Sequence, residues 1–301
     1  MHDLESIPQL SSTIVTIGNF DGMHRGHQEV LKQVTEQAKQ AHYSSVVITY
    51  SNHPLSILKP NQPLSLLCSL PQKLQLFEQA GIDVVILLEF TQVFSQQTAE
   101  EFLSILHKKI PFTKLILGHD ATLGKNKSGD QTELLKIASK LHFRTEFLPP
   151  FSYNKTIVSS STIRNFIQKG SLDEASALLG RPYSIRGLVT PGRNQGKAIG
   201  FPTANIQVHN VCLPPTGVYA VQVLYKEQQL AGIANLGISP TLQPHPEPVL
   251  EVHLFNWNSS LYNQELEVIF TQFIRPERKF PSVDALREQI SLDISEARKG
   301  L

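Results

Sequence analysis

Two histidines three residues apart, His24 and His27, lie in the stretch GNFDGMHRGH, Gly18 to His27. Beside Gly18, Asn19, Phe20, Asp21 and Gly22, they are suited to phosphate chemistry. Imidazoles donate hydrogen bonds to phosphate oxygens as charge develops in phosphoryl or nucleotidyl transfer. The spacing predicts a sharp bend at Gly26 with both rings facing one site. A surface turn that happens to hold histidines is the plainer reading. Two histidines, several glycines and an aspartate in one turn argue against it. A second chemical stretch is GKAIGFPTAN, Gly196 to Asn205. Gly192, Gly196 and Gly200 flank Arg193 and Lys197, which predicts a flexible basic loop closing over phosphates with its backbone N–H groups. Thr203 and Asn205 are two apart, so an extended segment turns them to one side. Their hydroxyl and amide oxygens are hard ligands suited to Mg²⁺, with waters and nucleotide phosphates completing its shell. Pro202 to Asn205 could be only a turn before a strand, but the glycine-rich loop ahead of it favours the nucleotide reading. In Leu250 to Leu254, LEVHL, Glu251 and His253 alternate with apolar residues. Glu251 is then either a solvated surface residue or a general base for an alcohol.

The elements that position these groups follow from periodicity. Ile14 to Ile17 reads as a buried strand before the histidine turn. Val30, Leu31, Val34 and Ala38 mark one face of the helix after it. Helix N-termini gather phosphates, so the turn sits where a nucleotide belongs. Strands are expected at Val46–Tyr50, Val84–Leu88, Leu115–Leu117 and Arg144–Leu148. Between them come a helix from Pro71 to about Gly81, one capped by Thr98 and Glu101, and one capped by Asp130 and Glu133. This alternation predicts an α/β doubly wound parallel sheet with ligands at the strands' carboxyl ends. His53-Pro54, Gly118-His119-Asp120 and the hydroxyl-rich turn VSSSTIR, Val158 to Arg164, fall at such ends. Ser160, Ser161 and Arg164 there could hold a triphosphate. Ser171 and Glu174 cap a short helix ending at Gly180. Beyond Pro182 come short strands punctuated by Gly, Pro and Asn: Tyr183–Val189, Gly217–Leu224, Leu230–Asn235, Val249–Phe255 and Leu266–Phe270. They predict a small antiparallel β-barrel, followed by an amphipathic C-terminal helix after Ser282.

Length, 301 residues, suits two domains, and the division expected is 1–170, a connector at 171–182, and 183–301. Net charge is +1 without a basic stripe, so the partner is a small molecule and not nucleic acid. Apolar runs are strand-length, so no membrane partner is expected. MHDLESIPQL lacks a basic segment followed by an apolar core, so no signal peptide is expected. Cys68 and Cys212 form no disulfide or metal pattern, and a cytoplasmic location follows from that usage.

The N-terminal half resembles the adenylyltransferase domain of bacterial bifunctional riboflavin kinase/FAD synthetases, through GNFDGMHRGH, His53-Pro54, the Gly118 turn, Gly129-Asp130 and VSSSTIR. The second half resembles riboflavin kinase through GRPYSIRG, IGFPTAN, PPTGVYAV, GIANLG, LEVHL and IRPERKF. The resemblance implies two ATP-dependent steps, riboflavin to FMN and FMN to FAD with release of pyrophosphate. It implies His24 and His27 on the phosphates, and nucleotide contacts at Gly18 to Gly22, Ser160, Ser161, Arg164, Gly196, Lys197 and Gly200. It further implies Mg²⁺–ATP on Thr203 and Asn205, Glu251 as base for the ribityl 5′-hydroxyl, and flavin contacts at His53, Pro54, Asp120 and Arg275. The chain departs from the family pattern at several places. Ser161 stands for a threonine, and Ser51-Asn52 for Glu-Pro. Ala121 and Leu123 stand for two phenylalanines, and Ile238-Ser239 for a segment that often carries a basic residue. The changes at 121 and 123 raise a rival: a kinase whose first domain has lost adenylylation or uses another acceptor. A non-catalytic flavin-binding protein is a further alternative. An aminoacyl-tRNA synthetase fragment, suggested by the histidine turn and Lys125 to Ser128, is disfavoured by the near-neutral charge.

Overall fold

The computed structural model describes residues 10, 12–192, 195–208, 210–238 and 248–300, leaving the side chains of residues 195 and 197 aside. The signal-peptide expectation on the N-terminal segment, the Arg193 part of the basic loop and the Ser239 departure all lie outside the described residues. The chain divides into two compact units: Met1–Leu64 with Leu70–Thr162, and Ser65–Ser69 with Ile163–Leu301.

The first unit is built on β1 (Thr13–Ile17), β2 (Ser44–Tyr50), β3 (Val84–Leu88), β4 (Phe112–Gly118) and β5 (Arg144–Leu148), in the spatial order β3-β2-β1-β4-β5. Every pairing in this sheet is parallel. β1 is buried along its whole length, as expected of a central strand with helices on both faces. α1 (Arg25–Ala41) places Val30, Leu31, Val34 and Ala38 against the sheet, the face its spacing predicts. Burying each of the larger of these stabilises the unit by about 1.5–3 kcal/mol. α3 (Leu70–Gln79), after the short α2 (Pro54–Leu58), packs Phe77 into the core. α4 (Ala99–Lys109) opens with the full reciprocal capping box of Thr98 and Glu101. α5 (Gln131–Leu141) has the Asp130 side chain accepting from the Glu133 N–H. Because strand order reverses between β1 and β4, the crevice at their carboxyl ends is the expected ligand position.

An element that periodicity missed follows β5. β6 (Ser152–Tyr153) and β7 (Thr156–Ile157) form a two-residue hairpin, with Asn154 and Lys155 both at positive φ. It leads into α6 (Ser160–Gln168).

The second unit is a closed six-stranded barrel in the order β10-β11-β12-β9-β8-β13. Its strands are β8 (Ser184–Thr190), β9 (Ala204–Ile206), β10 (Gly217–Tyr225), β11 (Gln228–Ile238), β12 (Pro248–Leu254) and β13 (Glu265–Arg275). All its pairings are antiparallel. Ser171 lacks the predicted side-chain cap on α7 (Leu172–Leu179), whereas Gly180 closes that helix in the left-handed conformation. The expected flexible loop before β9 instead contains a short helix, α8 (Gln195–Ala198). It is closed by the Gly196 carbonyl, which accepts from both Ile199 and Phe201 N–H groups. Residues 65–69, read along the chain as part of the first domain, join this unit through a parallel bridge between Leu66 and Val211. α9 (Val283–Ala297) is capped by the Ser282 side chain and packs on β10, β11 and β13.

Candidate functional site

The histidine turn bends ahead of Gly26, the position at which the bend is predicted. Phe20, Gly22 and Met23 have positive φ, at 52°, 80° and 44°, whereas Gly26 lies in the first turn of α1. Phe20 and Met23 are buried in one cluster with Leu31, Val47 and Phe77, and that packing holds the strained backbone in place. Gly26 serves another need. A Cβ there would stand 3.3 Å from Cε1 and Nδ1 of His24. Small size at 26, and not backbone freedom, makes room for the ring.

His24 is itself the N-cap of α1, its Nδ1 accepting from the His27 N–H at 3.3 Å. An accepting Nδ1 leaves the ring proton on Nε2. The two imidazoles stack with centroids 3.6 Å apart, so the structure brings them together as predicted. Phe20 closes the far side of His27, edge-on at 5.1 Å. Burial first, then the positive charge that His24 carries when protonated, then that of Lys73, holds the pKa of His27 well below its ordinary value. The ring is therefore neutral near pH 7, and its Nδ1 is buried without a hydrogen-bond partner.

The serine turn reaches the same place. Ser160 donates to the Asp21 carbonyl at 3.0 Å, and Ser159 caps α6 through the Thr162 N–H. The unforeseen hairpin supports this approach, because the Arg25 guanidinium lies over the Tyr153 ring and Gly26 faces Phe151. Ser161 is exposed and hydrogen-bonded to Ser159. Arg164 is one turn further along α6, and its Nε donates to the Ser65 carbonyl at 2.6 Å. After β2, His53 caps α2 by accepting from the Leu55 N–H, with Pro54 opening the helix. Asn52 exchanges two hydrogen bonds with the Phe90 backbone, tying the ends of β2 and β3 together. Asp120 is exposed after β4, 3.9 Å from His119. The loop that lacks two phenylalanines is well packed. Leu123 and Gly129 exchange backbone hydrogen bonds, Leu123 is 8% exposed within the main core, and Ala121 packs against that core. A hollow of about 980 Å³ opens at the opposite, amino end of the sheet, around Gln37, His107 and Arg144, and holds none of these residues.

In the barrel, register sets the site. Asn205 lies opposite Glu251, Glu251 opposite Asn235, and Thr190 opposite Asn205. Directly paired residues share a face, so four half-buried polar side chains form one row across β8, β9, β12 and β11. Leu250, Val252 and Leu254 turn inward and are buried, which leaves Glu251 and His253 on the other face. His253 hydrogen-bonds through Nδ1 to the Pro202 carbonyl at 2.8 Å, pinning the PTAN segment beside Glu251. A Cβ at Gly192 would overlap the Asn205 amide, and one at Gly196 would stand 3.3 Å from the Thr203 hydroxyl oxygen. Both glycines thus form a cradle around the two proposed metal-facing groups. Gly200 has φ +93°, and the Lys197 side chain lies outside the described atoms. The structure gives Arg275 another partner than flavin. Its Nε and Nη2 grip both carboxylate oxygens of buried Asp293 on α9, at 2.7–3.0 Å.

Sequence reasoning passed over Lys73, His253 and Asn235. The alternation in LEVHL already placed His253 beside Glu251. Lys73 gave no signal, because a lysine in an amphipathic helix is ordinarily solvated.

A family model for FAD synthetase matches residues 6–162, and one for riboflavin kinase matches residues 179–301. A bifunctional riboflavin kinase/FMN adenylyltransferase of Haemophilus influenzae is 36% identical over 96% of this chain and 94% of that protein. The chain belongs to this bifunctional family. The Escherichia coli protein of the same name is 34% identical over 99% of this chain and 96% of its own length. A crystal structure described as a macrolide-efflux protein from Streptococcus pneumoniae superposes with TM-score 0.87 at 30% identity, covering 99% of this chain and 97% of that one. Among the described residues of this chain, no helix is long and apolar enough to cross a membrane.

Proposed function

We propose that the chain makes FAD from riboflavin in two ATP-dependent steps, with the adenylyltransferase in residues 1–170 and the kinase in residues 183–301. Membership of the family, through both of its domains in order, carries the two activities: riboflavin kinase and FMN adenylyltransferase. The observation that supports the residue assignment in the first unit is the meeting of the stacked imidazoles with the serine turn at the sheet's switch point.

In adenylylation a phosphate oxygen of FMN attacks the α-phosphorus of ATP and pyrophosphate leaves. His24, with its proton on Nε2, and neutral His27 donate to phosphate oxygens as charge builds there. Backbone N–H groups of Gly18 to Gly22 and the N-terminal turns of α1 and α6 supply further donors. Ser160, Ser161 and Arg164 are assigned to the triphosphate, and His53, Pro54 and Asp120 to the flavin side. The rival in which this unit is impaired gains no support from Leu123, which is a core residue on a closed loop.

In the kinase step Glu251 takes the proton of the ribityl 5′-hydroxyl as that hydroxyl oxygen attacks the γ-phosphorus of ATP and ADP leaves. The glycine segment around Gly196, Lys197 and Gly200 borders the nucleotide. Thr203 and Asn205, in a cradle that a Cβ at Gly192 or Gly196 would fill, offer the hard oxygens that Mg²⁺ prefers beside phosphate. Bound there, Mg²⁺ would supply charge neutralisation on the ATP phosphates. Two buried cysteines outside any disulfide suit a reducing compartment, and we place the protein in the cytoplasm. Product analysis tests the assignment: riboflavin with ATP and Mg²⁺ yields FMN first and then FAD, and FMN with ATP yields FAD and pyrophosphate. Formation of FMN alone would remove the first unit's proposed role.

A further inference from the structure

The ammonium of Lys73 is buried beneath the histidine turn, although Pro71 and Gln75 of the same helix, α3, are exposed. It donates to three acceptors: the Tyr50 carbonyl at 2.9 Å, the Asn19 carbonyl at 3.2 Å and the Thr49 hydroxyl at 3.3 Å. Thr49 is fully buried and donates in turn to the same Asn19 carbonyl, at 3.3 Å. One charged group thus ties the second residue of GNFDGMHRGH to the carboxyl end of β2. The tie lies directly before Phe20, the first of the positive-φ residues.

Burying an ammonium is costly unless its protons are all received, and a lysine that only filled space could be an apolar residue. Here the three acceptors converge where the sheet's switch point would receive a polyanion. We propose that Lys73 is a positioning residue for adenylyl transfer: it holds the Asn19 carbonyl, and through it the strained turn that presents His24 and His27, and it adds a buried positive charge beneath the phosphates. This rests on the reading of the histidine turn as the adenylyl-transfer site. Beyond burial, the groups that depress the protonation of His27 are Lys73 on α3 and, when it is itself protonated, His24 at the cap of the same helix as His27.

The test uses the full chain in four versions: wild type, Lys73→Met, Thr49→Val and His27→Ala. FAD formation from FMN and ATP is measured across pH, FMN formation from riboflavin is measured in parallel, and folded fraction is determined for each. Lys73→Met is expected to lower kcat for FAD formation by about tenfold or more per folded molecule, from the loss of a hydrogen-bonded charge. FMN formation should stay within twofold. The His27 transition in the pH profile should move upward, because one depressing charge has gone. Thr49→Val, which keeps the lysine and the volume, should show a smaller kcat loss in the same direction, and it carries the test if Lys73→Met does not fold. Unchanged FAD formation in these variants overturns the proposal. So does a loss that matches the unfolded fraction with the pH transition unmoved, since a merely structural lysine would do that. If His27→Ala itself makes FAD at the normal rate, the reading of the turn fails. If His27→Ala is inactive while Lys73→Met and Thr49→Val are normal, only the role of Lys73 fails.

Discussion

The ion pair of Arg275 with Asp293 gives a structural role to an arginine for which the family resemblance implies a flavin contact, and the two roles predict different behaviour of variants. Asp293 is 3% exposed and Arg275 17%. The carboxylate receives Arg275 Nε and Nη2, and also the Gln289 amide at 2.6 Å. Removing it as Asp293→Ala leaves a largely buried guanidinium with the Pro276 carbonyl and the Phe280 ring as remaining partners. Breaking one side of a buried pair costs about 3–5 kcal/mol, and the solvent edge of Arg275 brings that nearer 2–3 kcal/mol. For a unit of this size such a loss lowers the melting temperature by about 4–12 °C. Arg275→Ala should cost a similar amount, because Asp293 is then the stranded charge. Joint replacement by Met and Leu should restore much of the loss, since apolar packing avoids desolvating either ion. The assay is thermal inactivation of riboflavin phosphorylation, with KM for riboflavin measured at low temperature where all variants are folded. The anchor role predicts parallel destabilisation and near-normal KM in both single variants. A large rise of KM in Arg275→Ala, with stability like wild type and no such rise in Asp293→Ala, would refute it and return the arginine to the flavin.

Three further predictions follow from the same geometry. Glu251→Gln keeps the size of the side chain but exchanges an accepting carboxylate oxygen for a donating amide nitrogen, which removes the base. It should lower FMN formation by about 10²–10⁴-fold while leaving FAD formation from supplied FMN unchanged, read by separating the flavins. Gly26→Ala places a methyl 3.3 Å from the His24 ring, so FAD formation should fall about tenfold with little change in melting temperature; normal FAD formation would show that the ring tolerates displacement. Because the folded pKa of His27 is depressed, the unfolded chain binds a proton that the folded one refuses. Stability from this group is thus complete above about pH 6.5, and is lost as pH falls below that value towards the folded pKa. Urea midpoints of the first unit between pH 7.5 and 5.5 should show this decline, and His27→Gln should flatten it.

Much of the architecture was legible because burial writes a period into the chain. β1 is apolar throughout because helices cover both faces of its sheet, and α1 carries its core face at the spacing of helical turns. Capping chemistry located the start of α4 for the same local reason. The elements that escaped are those whose reason is tertiary. The two-strand hairpin is too short to show alternation, and β9 has only three residues. Leu66 pairs with Val211 across a long stretch of sequence, which no local pattern announces. The site residues were found where residue type alone is telling, as with the histidine pair. They were missed where a common residue has an uncommon environment, as with buried Lys73. Gly26 is needed for its size and not for its φ, two needs that a sequence does not distinguish.

The central claim is that the two steps belong to two separate sites, one at the His24–His27 turn and one at Glu251. Mixing His27→Ala with Glu251→Gln tests it directly. Each variant alone, given riboflavin, ATP and Mg²⁺, should fail to make FAD: the first stops at FMN and the second leaves riboflavin unconverted. Together they should make FAD, because FMN released by one is the substrate of the other. A mixture that accumulates FMN and no more FAD than His27→Ala alone, although Glu251→Gln is folded, would contradict the account.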